Sequence, residues 1–250
     1  MRIGYISDIH NEFGTRSIPV PKGIDVLCIA GDVDTNPKNA RKVLESLRAQ
    51  TDAPILYVLG NHEYYGHLYP EAAHKYKDQI SKIKDAWILD RGVKVIDGVR
   101  FLGTTLWSDL SNPIHALRVE QGMNDFHKIL IKRESGKIDR LRATDYTREF
   151  KASRDWLSSR MTDNWSGKNV IITHHSPSPI TCAPQFANDT FRFGYHSNLD
   201  NFIFETQPEL WIYGHDHISA SHKLGRTKLV SNQLGYPQER QEPIIAVVEI

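Results

Sequence analysis

Ile55 to Glu63 reads ILYVLGNHE, five apolar residues closed by Gly60 and followed at once by Asn61, His62 and Glu63. A run this short, β-branched and aromatic, with no polar residue at alternate positions, is the form of a strand covered on both faces, as in the parallel sheets of α/β proteins. Four more stretches repeat the pattern: Arg2 to Ser7 (RIGYIS) before DIH, Val26 to Ala30 (VLCIA) before GD, Val170 to Thr173 (VIIT) before HH, and Leu210 to Tyr213 (LWIY) before GHDH. Open α/β sheets bind ligands beyond the carboxyl ends of their strands. Five strand ends can therefore deliver Asp8, His10, Asp32, Asn61, His62, His174 or His175, His215 and His217 to one crevice.

Carboxylate, amide oxygen and imidazole together suit Mn, Fe, Zn, Co or Ni better than calcium or copper(I). Asp32 is the best bridging residue, since two carboxylate oxygens can hold two cations roughly 3.5–4 Å apart. Neighbouring residues at a strand end point to opposite faces, so only one of His174 and His175 readily coordinates. Ser176 has no GxSxG elbow ahead of it and is no competing nucleophile.

DIH, GD, GNHE, a strand-terminal His and GHDH, in this order from Asp8 to His217, resemble the calcineurin-like metallophosphoesterase family. The resemblance implies an α/β fold, a four-layer αββα sandwich of two mixed β-sheets flanked by helices. It also implies a ligand set for two divalent transition metal ions, Mn favoured: Asp8, His10, Asp32 and His217 on one, and Asn61, His174, His215 and again Asp32 on the other. His174 is preferred to His175 on the same ground. His62 takes the family's role of phosphate contact and general acid. The reaction implied is hydrolysis of a phosphodiester or small phosphomonoester by a hydroxide bridging the metals. A metal-dependent nuclease and a non-catalytic binding module on the same fold are the alternatives. Serine/threonine phosphatase relatives carry a second Asp three residues after the bridging one, to orient the catalytic His. Here Asp34 lies two residues after Asp32, so the partner of His62 is not given by the motif.

The chain of 250 residues, 40% hydrophobic, is long enough for one domain over 1–250 with an insertion. A net charge of +1 gives no case for a dedicated nucleic-acid or membrane partner, and the family resemblance implies a small phosphorylated substrate. The first strand begins at Arg2, which leaves no room for a signal peptide, and no apolar run has the length of a membrane span. Cys28 in a predicted strand and Cys182 in a loop give no disulfide framework, so a cytoplasmic location is expected. Nothing in the sequence sets the oligomeric state.

Asn39 to Gln50, Glu71 to Lys84 and Ala143 to Met161 read as helices. Val93 to Leu102 reads as a hairpin turning at Asp97 and Gly98, Lys223 to Ser231 as another around Gly225, and Ile244 to Glu249 as a closing strand. The segment from about 107 to 142 is expected to form a partly helical cap over the site, with Asn124, Trp107, Tyr64, His175 and His196 as candidate substrate contacts. Between Lys128 and Arg160, ten basic residues face five acidic ones. Either these are a solvated, locally paired face, or some of them, such as Lys132 and Arg133, hold a second phosphate or a nucleic-acid backbone.

Overall fold

A computed structural model describes residues 1–182, 184–239 and 242–250. In chain order, the strands up to the middle of the chain are β1 (Arg2–Ile6), β2 (Val26–Ala30), β3 (Ile55–Val58), β4 (Leu68–Tyr69), β5 (Ala86–Ile88), β6 (Gly92–Ile96) and β7 (Val99–Thr104). They are followed by β8 (Leu130–Lys132), β9 (Ile138–Arg140), β10 (Lys168–Thr173), β11 (Leu210–Tyr213), β12 (Ala220–Leu224), β13 (Thr227–Ser231) and β14 (Ala246–Glu249). The helices are α1 (Pro37–Arg48), α2 (Ala72–Ile80), α3 (Pro113–Gly122), α4 (Asp125–Lys128), α5 (Ala143–Met161), α6 (Arg192–Tyr195) and α7 (Asp200–Thr206).

Two mixed sheets carry the fold, in the orders β14-β1-β2-β3-β5 and β12-β13-β11-β10-β7-β6. β1, β2, β3 and β5 are parallel, as are β7, β10, β11 and β13, so the carboxyl ends of the ligand-bearing strands share one edge. Alternation shows why these runs have no polar position. Val26, Cys28 and Ala30 of β2, Leu56 and Val58 of β3, Val170 and Ile172 of β10, and Leu210 and Ile212 of β11 form one apolar layer between the sheets. Leu27 and Ile29, Ile55 and Tyr57, Ile171, and Trp211 and Tyr213 face outward into a second cluster shared with the helices. The two sheets with helices outside are the four layers expected.

α1 starts where Asn36 caps the Lys38 amide, with Pro37 at its first position, and it buries Ala40, Leu44 and Leu47 at helical spacing. α5 has the limits read from the sequence and buries Tyr146, Phe150, Ser153 and Leu157. The hairpin of β6 and β7 turns through Asp97 (φ 46°) and Gly98 (φ 77°), the doubly left-handed turn that matches strand twist. Residues 107–142 hold α3, α4 and the β8–β9 hairpin, which pairs with β4 in a small three-stranded sheet that the sequence reading did not contain. Among the described residues no helix is long and apolar enough to cross a membrane.

Candidate metal centre

The loops leaving β1, β2, β3, β10 and β11 meet at the shared edge and are laced to one another. Asp8 N donates to Gly31 O (3.0 Å), His10 N to Asp32 O (3.0 Å), and Gly214 N to His174 O (2.8 Å). Asp32 Oδ1 accepts from His62 N (2.9 Å), and Asp8 Oδ1 and Oδ2 both lie 3.1 Å from the donor His215 N. Glu63 fastens two loops together: its carboxylate accepts from Gly60 N, Asp32 N and Val33 N and from the Tyr57 hydroxyl. The last member of GNHE thus works in the scaffold. Asp34, buried, accepts from Asn11 Nδ2 and Asn36 N and makes no bond to His62.

Backbone strain is concentrated here. Asp8 (φ 53°), His10 (48°), Asp32 (55°), His215 (85°) and His217 (57°) are all left-handed, a conformation that costs a non-glycine residue about 1 kcal/mol or more. Those turns swing successive side chains off the strand ends into the crevice. Gly31 and Gly60 clear the space: a Cβ on Gly31, itself at φ 95°, would strike the His174 ring, and one on Gly60 would strike the Asp32 carboxylate.

The side chains converge in three overlapping groups, Asp8 with His10 and His217, His10 with Asp32 and His62, and Asp32 with His174 and His215. Their donor atoms fit divalent ions for a reason visible in the hydrogen bonds. His10 Nδ1 faces Glu12 Oε1 (3.2 Å) and His217 Nδ1 faces Glu239 Oε2 (2.8 Å), carboxylates that can take the Nδ1 proton's hydrogen bond and leave Nε2 as the ligand atom for a metal. Their two Nε2 atoms lie 2.9 Å apart, with Asp8 Oδ1 3.5 Å from that of His217. In the second group, His174 Nδ1 donates to Ala30 O (2.8 Å), which turns Nε2 toward Asn61 Oδ1 (2.8 Å), His215 Nδ1 (3.2 Å) and Asp32 Oδ2 (3.4 Å). Imidazole nitrogens, an amide oxygen and carboxylates gathered this closely are a donor set that suits a divalent transition metal ion. Burial disfavours charge on His174, yet the Asp32 carboxylate pushes its pKa up to about 10; burial likewise opposes ionisation of Asp32, but His174, then His62, holds it well below the carboxylate range. Burial and the neighbouring His175 and His174 keep His215 well below the usual value, as an imidazole with a free lone pair.

His62 sits at the lip. Its Nδ1 lies 2.7 Å from Glu12 Oε1, and its Nε2 faces Tyr236 OH (3.3 Å) and Asp32 Oδ2 (3.9 Å). Glu12 is thus the partner that Asp34 does not provide. The sequence offered a signal for it, since Glu12 follows His10 at the two-residue spacing that separates Asp8 from His10.

A cavity of 410 Å³ opens over the cluster, walled by Tyr65, Met123, Asn124, Phe191, Tyr195 and Tyr236 among others. Asn124 lies on this wall. Tyr64, Trp107, His175 and His196 do not. The turn His62–Tyr64 puts Tyr64 inside the protein against Tyr69 and Trp107, and it is Tyr65, one residue on, that reaches the cavity and packs on the His62 ring. His175, fully buried, points away from His174 toward Tyr146 OH (2.7 Å), as alternation at a strand end requires. His196 is buried where its backbone bridges Ser176. Three of the basic residues are engaged elsewhere: Arg133 makes a two-toothed pair with Asp145, and with Lys132 and Arg148 it lines a separate cavity beside β4. Of the ten, Lys128 alone lines a groove next to His62, with its Nζ 5.1 Å from the Tyr65 ring.

Burial lowers the His196 pKa to about 4, and nearby Arg192 adds to the effect. A base harder to protonate when folded loses stability as pH falls from the unfolded value of about 6.5 toward 4, because the unfolded chain takes up the proton first. Wild type is therefore expected to lose about 2 kcal/mol more between pH 7 and 4.5 than His196→Gln, measured by urea unfolding. Equal losses would show that His196 does not stay neutral in the folded protein.

The sequence matches the family described as calcineurin-like phosphoesterase over residues 1–219. An uncharacterised protein, L509 of Acanthamoeba polyphaga mimivirus, is 26% identical over 263 residues, covering 94% of this chain and 91% of that protein. Among solved structures, Phosphopantetheinyl Hydrolase (PptH) from Mycobacterium tuberculosis superimposes with a TM-score of 0.74 at 16% identity, covering 96% of this chain and 92% of that one. At that identity the likeness bears on the fold.

Proposed function

The chain belongs to the calcineurin-like phosphoesterase family, and from that premise we propose that it is a two-metal hydrolase of small phosphate esters. The observation that carries this reading is the meeting of His10 Nε2 with His217 Nε2, and of His174 Nε2 with Asn61 Oδ1, on either side of Asp32. Asp8, His10, Asp32 and His217 would hold one divalent ion, and Asn61, Asp32, His174 and His215 the other. Such ions supply a water acidic enough to attack near neutral pH and neutralise charge on the phosphoryl oxygens. The chain's own groups do the rest. His62, held through Nδ1 by Glu12, presents Nε2 to the cavity, where it can bond a phosphoryl oxygen and give a proton to the leaving oxygen. Tyr236 stands beside it as a second donor, a hydroxyl. Among the described residues, the cavity wall includes Asp216 and Glu239 and no Lys or Arg, which suits a substrate with one anionic group better than a nucleic-acid strand.

The test is hydrolysis of bis(p-nitrophenyl) phosphate and p-nitrophenyl phosphate by chelated protein reloaded with Mn²⁺. Metal-dependent turnover is expected, and the faster substrate separates diesterase from monoesterase. No turnover by a protein that holds both ions would move the reading to a binding module. Glu12→Gln, which keeps the shape but weakens the hold on His62, is expected to lower kcat by about 10-fold with little change in KM. A pure KM effect would place Glu12 in substrate binding instead.

A further inference from the structure

Asn61 presents its oxygen to the metal cluster only because something else holds its nitrogen. An amide side chain can turn over at almost no cost in volume, and the flipped form would point two N–H donors at the cluster. Asp125 decides between them. Its Oδ1 accepts from Asn61 Nδ2 (2.8 Å) and from Tyr65 OH (2.6 Å), and Asn61 Nδ2 also reaches the Tyr65 oxygen (3.1 Å). Its Oδ2 accepts from Tyr146 OH (2.8 Å), the hydroxyl that in turn meets His175 Nε2 (2.7 Å). Asp125 is 1% exposed, and its described partners include no Lys or Arg: every contact is a hydroxyl or amide donor. A buried carboxylate offers acceptors only, so an Asn61 oxygen turned toward it would meet like charge.

We propose that Asp125 is a positioning residue for the metal centre: it fixes the Asn61 amide with its oxygen toward the cation site shared with His174 and His215. Asp125 lies in the 107–142 segment and lines the cavity together with Gly122, Met123 and Asn124. The part of the chain that walls the substrate cavity therefore also orients a ligand, across 64 residues of sequence. Groups that orient a metal ligand in this way carry about 10- to 100-fold of metal affinity. The proposal rests on Asn61 being a ligand, as read above, and its test keeps the two apart.

The readout is Mn²⁺ bound per chain by the full-length protein at a free Mn²⁺ concentration that just fills wild type, together with the Kd of the weaker ion. Asp125→Ala is expected to empty one site or weaken it by 10- to 100-fold. Asp125→Asn, which still offers an oxygen to Asn61 and Tyr65 and an amide donor to Tyr146, should restore binding to within a few-fold. Tyr146→Phe removes the bond on the far oxygen and should leave Mn²⁺ binding as in wild type. Asp125→Leu fills the buried volume without an acceptor and stands in if the alanine variant does not fold. Full Mn²⁺ binding by Asp125→Ala or Asp125→Leu, while Asn61→Ala loses an ion, overturns the proposal and leaves the ligand assignment intact. So does equal loss in Tyr146→Phe or Asp125→Asn, which would make the effect one of general loosening. Full binding by Asn61→Ala overturns the assignment of Asn61 itself, and the proposal with it.

Discussion

Asp32→Asn is expected to cut phosphate-ester hydrolysis by about 10³-fold or more and to lower bound Mn²⁺ from two per chain to one or none. The size follows from position. Asp32 Oδ2 lies 3.8 Å from His10 Nε2, 3.4 Å from His174 Nε2 and 3.9 Å from His62 Nε2, so a single oxygen serves both halves of the cluster. Asparagine keeps the acceptor for His62 N, now met by Asp32 Oδ1 at 2.9 Å, and so keeps the loop in place. What it loses is the negative charge that offsets repulsion between two cations. Metal analysis and steady-state rates on the same preparation check this. Two ions retained at near-wild-type turnover would remove Asp32 from the bridging position.

His62→Ala is the second large effect, of a different kind. Turnover should fall by about 10²- to 10⁴-fold while both ions stay bound. His62 is close enough to Asp32 and His10 to be grouped with them as a ligand. Its Nε2, however, lies by the Tyr236 hydroxyl, and the ring leans on Tyr65 at the cavity wall. The loss should be steeper for a substrate with a poor leaving group than for a nitrophenyl ester, because only the poor one needs a proton. If the variant instead loses an ion, His62 is a ligand and the acid must be sought elsewhere, with Tyr236 next in line.

The parts of the fold that could be read from sequence are those where burial leaves no choice. Strands covered on both faces must be apolar at every position, and β2 and β11 have the limits that VLCIA and LWIY give. Helix α5 shows its period and the doubly left-handed Asp97–Gly98 turn shows its chemistry. The cluster was legible for a similar reason, since each motif follows such a strand. What stayed hidden depends on contacts between distant segments. The pairing of β4 with β8 joins two- and three-residue strands with no pattern of their own. One residue of phase in the turn after Asn61 decided that Tyr65 and not Tyr64 reaches the cavity. The outer carboxylates were the larger omission: Glu12 is 50 residues from His62, and Asp125, next to Asn124, is 64 from Asn61.

The most direct measurement is metal content, because each role proposed for the cluster depends on bound cations. Protein stripped with a chelator, dialysed against Mn²⁺ and analysed by mass spectrometry should hold two ions per chain. Crystals of the same material should show two anomalous peaks, one among Asp8, His10, Asp32 and His217, the other among Asp32, Asn61, His174 and His215. A chain that binds no Mn²⁺, Fe²⁺, Zn²⁺, Co²⁺ or Ni²⁺ under these conditions, or binds them away from Asp32, would contradict it.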